Sequence, residues 1–130
     1  MTCSNKGLDS REKIIDAEQA RTVAKTHTGL RVVTGYFDPL LAAHAEALAR
    51  IGAGLMVLVA SPADPLLSVR ARAELVAALR GVAWVVPLNT SESPDWVAAL
   101  PPGCLTSLEV EDEERRNAFL RRVCERNGMA

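Results

Sequence analysis

The chain has 130 residues, 48% of them hydrophobic, with 15 basic and 16 acidic side chains and a net charge of −1. That is enough apolar material for one folded domain with its own core, and it excludes a disordered chain. Neither a basic stripe nor an aromatic platform is present (aromatics are 4%), which argues against nucleic acid as a partner.

The polar residues 1–9 lack the apolar core of a signal peptide. Residues 9–27 read as a helix closed by Gly29, and 30–34 as a first strand. Leu41, His44, Leu48 and Ile51 recur at helical spacing, giving a helix over 41–51 that stops at Gly52 and Gly54. Residues 55–60 are apolar on both faces, as in a central strand of a covered parallel sheet, and fall far short of a membrane span. After the loop 61–65, Ser68 caps a helix whose expected inner face is Arg72, Leu75, Val76 and Leu79.

Residues 82–88 form a third strand, and Ser93-Pro94 opens a short helix to Leu100. A Pro-Pro-Gly turn leads to a weak strand, 104–108, and then a helix over 111–127. That helix starts acidic (Glu111, Asp112, Glu113, Glu114) and ends basic (Arg121, Arg122, Arg126), which complements its dipole and reads as a solvated face. The three cysteines, Cys3, Cys104 and Cys124, show no Cys-x-x-Cys spacing; a disulfide framework or zinc site is not expected, and a reducing cytoplasm is. His27 reads as a surface residue, and Trp84 and Trp96 as core or interface residues. Alternating strands and helices with short connections predict an α/β domain, a doubly wound parallel sheet with right-handed crossovers. Its expected organisation is one domain over 1–130: an N-terminal helix (1–29), the α/β core (30–108) and a C-terminal helix (109–130).

One stretch carries chemistry. The strand 30–34 runs into Gly35-Tyr36-Phe37-Asp38-Pro39-Leu40-Leu41-Ala42-Ala43-His44 at a helix start, where α/β sheets hold nucleotides. This segment resembles the signature of the cytidylyltransferase-like nucleotidyltransferases, Gly-x-Phe-Asp-x-x-His-x-Gly-His. Gly35, Phe37, Asp38 and His44 match, whereas Leu41 stands for the first histidine and Ala43 for the second glycine. With the segments 13–20 and 72–86, the likeness extends from Lys13 to about Leu108. It is nearest to the adenylyltransferase domain of bifunctional ADP-heptose synthases of lipopolysaccharide core biosynthesis, with glycerol-3-phosphate cytidylyltransferases further off.

The resemblance implies a Rossmann-like nucleotidyltransferase domain, a homodimer, and a crevice at the C-terminal ends of strands one and three. The family moves AMP or CMP from ATP or CTP onto a sugar or alcohol phosphate and releases pyrophosphate. Magnesium enters with the nucleotide, with no intrinsic cofactor or protein metal site. The residues implied for nucleotide or phosphate binding are Thr34, Gly35, Tyr36, Phe37, Asp38, His44 and Arg72, and His44 is the catalytic candidate. Each also has a plainer reading: His44 packed beside Leu41 and Leu48, Asp38 capping the next helix, Arg72 paired with Asp64 or Glu74.

The departures from the pattern fall on phosphate handling. Leu41 donates nothing, and one lost donor of this type costs roughly 3–4 kcal/mol of transition-state stabilisation. Ala43 adds a methyl where the family has bare backbone. The loop 61–67 contains no lysine, where the family has a Lys-Gly pair. Ser107-Leu108 replaces a second such pair, and the family's later Ser/Thr-rich helix start has no counterpart. The expectation is a degenerate nucleotidyltransferase-like protein with weak or no catalysis and a nucleotide-binding, regulatory or oligomerisation role. The alternative is an active nucleotidyltransferase built on His44 and Arg72.

Overall fold

The computed structural model describes residues 9–126. Four strands, β1 (Val32–Gly35), β2 (Leu55–Val59), β3 (Val82–Pro87) and β4 (Leu105–Ser107), form a sheet in the order β3-β2-β1-β4. All three pairings are parallel, with Val33 opposite Val57 and Thr106, and Val57 opposite Val85. Four helices accompany them: α1 (Ala17–Thr26), α2 (Ala42–Ile51), α3 (Val69–Ala77) and α4 (Glu109–Arg126). The architecture is α/β with a four-stranded all-parallel sheet, as a Rossmann-like, doubly wound fold requires.

Alternation along the strands builds two cores. Val33, Val57, Val59 and Val85 face one side and pack with Leu48 of α2 and with Ala73, Val76 and Ala77 of α3. Val32, Met56, Leu58 and Val86 face the other, against Ala20 and Val23 of α1 and Val97 of a 3-10 turn, Asp95–Ala99. All five residues of β2 are buried, so the continuous apolar run does mark a strand covered on both faces.

Several expectations need correction. The N-terminal helix does not run from residue 9. Ser10–Lys13 is a 3-10 turn, Ile14 bridges to Val85, and the Ile15 amide donates to the Val85 carbonyl at 2.8 Å. Helix α1 begins only after Asp16, which exchanges capping hydrogen bonds with Gln19. Two β-branched residues therefore extend the sheet where helical continuity was expected. On α3, Leu75 is 45% exposed, and small residues, Ala73 and Ala77, take the inner face beside Arg72 and Val76. The sheet order also places the topological switch point. Strand β2 separates β1 from β3, and the strand order reverses between β1 and β4.

His27 is exposed, with its ring edge-on to Trp84 at 4.9 Å, and Trp84 and Trp96 pack half-buried on the second core. Cys104 and Cys124 are free thiols. Cys3 and most of the polar N-terminal stretch lie outside the described residues. Among the described residues, no helix is long and apolar enough to cross a membrane.

Candidate functional site

Strand β1 ends at Gly35, and the chain turns sharply before entering α2. Phe37 has a left-handed backbone (φ 49°), an arrangement that costs a non-glycine residue about 1–3 kcal/mol and needs support from its surroundings. Its side chain supplies that support, being fully buried in the first core and packed at 5.3 Å, centroid to centroid, against the His44 ring. The turn brings the amides of Tyr36 and Phe37 to one point, next to the first turn of α2. This is a cradle for an oxyanion.

The cradle holds an anion from the chain itself. Asp112, in the first turn of α4, is 3% exposed. Its Oδ2 accepts the Tyr36 amide at 2.7 Å and the Phe37 amide at 3.3 Å. Its Oδ1 lies 2.6 Å from Nε2 of His44, and Arg115 approaches the same oxygen at 3.5 Å. The path of the chain delivers Asp112 here. The Leu108 amide continues the β4–β1 ladder to the Thr34 carbonyl, and α4 starts at once beside the end of β1.

His44 Nδ1 accepts the amide of Leu41 at 2.9 Å. A backbone N–H can donate only to an unprotonated nitrogen, so the ring proton resides on Nε2, on the side of Asp112. The 2.6 Å contact is off the N–H axis, and Nε2 makes no aligned hydrogen bond although it is buried. The interaction is one of charge and dipole more than of directed bonding. Leu41 provides no side-chain cap to α2, and the imidazole at the third helical position satisfies Leu41's own amide.

The remaining candidates are tied into the scaffold. Asp38 is buried and accepts the amides of Leu66 and Leu67 at 2.7 and 2.9 Å, so it caps the loop before α3 and not the helix that follows it. Arg72 is fully buried and donates to the carbonyls of Leu67, Tyr36 and Ala60 and to the Ser61 hydroxyl. Burial holds its guanidinium below the usual range, with Asp38 opposing that shift. It pairs with neither Asp64 nor Glu74, the latter being bound to Arg70. Thr34 is buried and donates to the Ser107 hydroxyl at 3.3 Å across the β1–β4 boundary. Of the two substituted signature positions, Ala43 is exposed and Leu41 half-buried.

A second anchor of α4 lies one turn on from the first. Arg116 places Nε 3.5 Å from Asp38 and donates through Nη2 to the Asp64 carbonyl at 2.7 Å. Helix α4 thus crosses the carboxyl ends of β1 and β2 and covers the crevice. Neither Asp112 nor Arg116 stands out in the sequence, where the acidic start of α4 reads as solvated; Glu111, Glu113 and Glu114 are exposed as expected, and burial of Asp112 corrects the reading at that residue. The signal was the stripe of Phe119, Leu120 and Val123, which extends backward at helical spacing through Arg116 to Asp112.

Tyr36 is half-buried at the crevice mouth, and its phenol is pushed above its usual range by burial and by the charges of Glu109, Glu113 and Asp112. Glu109, Glu113 and Asp112 put negative charge at the mouth, next to Arg115 and Arg116. Among the described residues no group of three or more His, Cys, Asp or Glu is arranged for a metal ion. Asp38 and Asp112 are engaged by N–H donors and do not fit a magnesium site. A groove of about 620 Å³, lined by Arg21, Lys25, Trp96 and Leu100, lies on the opposite side of the sheet and includes no signature residue. Comparison with family models, with curated proteins and with solved structures finds no match to this chain.

Proposed function

We propose that this protein is a non-catalytic, nucleotidyltransferase-like domain with a regulatory or assembly role. One observation carries the reading: the oxyanion cradle at the end of β1 is occupied by the chain's own Asp112. A nucleotide phosphate entering there meets a buried carboxylate that already holds both amides, with the acidic first turn of α4 beside it. The donors that could stabilise charge on a transferred phosphoryl group are committed elsewhere. His44 Nε2 faces the Asp112 carboxylate, Arg72 is bonded to loop carbonyls, and Leu41 has nothing to donate. An active transferase would need Asp112 removed from His44, and Arg72 released from its carbonyls.

The test is calorimetric titration of the full chain with MgATP and with MgCTP. No heat and no thermal shift with either is the expected result. Millimolar or tighter binding of one of them, abolished by His44→Ala, overturns the proposal and calls for an acceptor screen.

A further inference from the structure

Helix α4 is held over the crevice by two polar anchors, and the first of them occupies the anion position itself. We propose that α4 is a detachable strap, and that Asp112 is an internal competitor for a phosphate group at the cradle of Tyr36, Phe37 and His44. The proposal rests on the reading that the cradle is an oxyanion site closed by the chain, and adds the means of its opening.

Three features support a site and not merely a structural joint. The two amides converge through a left-handed Phe37, a strained arrangement that a simple turn into α2 does not need. His44 Nε2 is buried, faces the cradle, and has no aligned acceptor, so an oxygen placed differently from Oδ1 would be held better than the carboxylate is. Gly35 leaves the space into which the anion projects: a Cβ there would lie 2.5 Å from Asp112 Oδ2.

Occupancy by phosphate and docking of α4 exclude each other. Both need the same amides, and Glu109 and Glu113 on the docked helix repel a second anion at the mouth. Phosphate therefore selects the undocked strap, and its apparent affinity is lowered by the fraction of time the strap is closed. The other anchor, Arg116, joins the strap to the loop before α3, so opening frees the two loops that flank the crevice together.

The probe is inorganic phosphate, followed by backbone amide and imidazole NMR shifts in the full chain and in Asp112→Asn and Asp112→Ala. Both variants should bind phosphate at least about tenfold more tightly than the intact chain, with shifts at Tyr36, Phe37 and His44 that Asp112→Asn/His44→Ala loses. In the intact chain, high phosphate should speed amide hydrogen exchange along α4. If Asp112→Ala fails to fold, the isosteric Asp112→Asn carries the comparison. A folded variant with no gain in phosphate affinity overturns the strap, as does phosphate binding to the intact chain with α4 exchange unchanged. Either result leaves the silent-domain reading standing, because that reading fails only on nucleotide binding by the intact chain.

Discussion

At Gly35 the distance between backbone and Asp112 leaves no room for a side chain. A Cβ would meet Oδ2 at 2.5 Å and the Phe37 ring at 2.9 Å, and the ring is locked in the core. Gly35→Ala should therefore destabilise the fold by roughly 1–3 kcal/mol, as overpacking does, read from urea unfolding. Half of that clash is with a group that can be removed. In Asp112→Ala the added cost of Gly35→Ala should fall by about 1 kcal/mol, a coupling that a double-mutant cycle measures. Additive effects would mean that Phe37 alone sets the limit and that the approach of the carboxylate is incidental. The sequence shows Gly35, Phe37, Asp38 and His44 as a group, and they do meet at one turn. It does not show that the partner of that turn is an aspartate 68 positions beyond His44 (112 − 44), because a long-range pairing leaves no local pattern.

Among the elements, those with a period were legible and those with competing local signals were not. The apolar run of β2 and the helical spacing of α2 are found where expected, since burial on two faces or on one stripe imposes these patterns directly. Residues 9–16 carry no such constraint. There, Ile14 and Ile15 take sheet positions at the edge of β3, and the capping box of Asp16 and Gln19 decides where α1 starts. That box should be worth measuring alone. Asp16→Ala should cost about 1 kcal/mol of stability, and Asp16→Asn, which keeps an acceptor, only a few tenths. Equal losses from both substitutions would show that charge at the helix terminus, and not the hydrogen bond to Gln19, fixes the boundary. Arg72 illustrates the same limit from the other direction. An arginine on an apolar stripe attracts a functional reading, yet here burial is satisfied by three loop carbonyls that no spacing rule reveals.

For the molecule as a whole, a net charge of −1 hides an uneven distribution, with the acidic turns of α4 gathered over the crevice that a phosphate ligand would need. Tyr36 reports on that field directly, because it is the only tyrosine of the chain. Burial is the larger cause of its raised phenol pKa, followed by Glu109, Glu113 and Asp112. The unfolded chain ionises this phenol near pH 10, and the folded chain ionises it at higher pH. Between the two values the native state binds more protons than the unfolded state, so stability falls as pH rises. The contribution is complete below about pH 10 and disappears as pH passes the folded value. Phenolate absorbance, followed through an alkaline titration of the native protein, should therefore show a midpoint above that of free tyrosine. Glu109→Gln/Glu113→Gln should lower the midpoint without restoring it fully, since burial persists. A native midpoint at the ordinary value would mean that α4 does not rest over Tyr36 in solution. The crevice would then be open, and the closed cradle from which the silent-domain reading derives would not be the resting state.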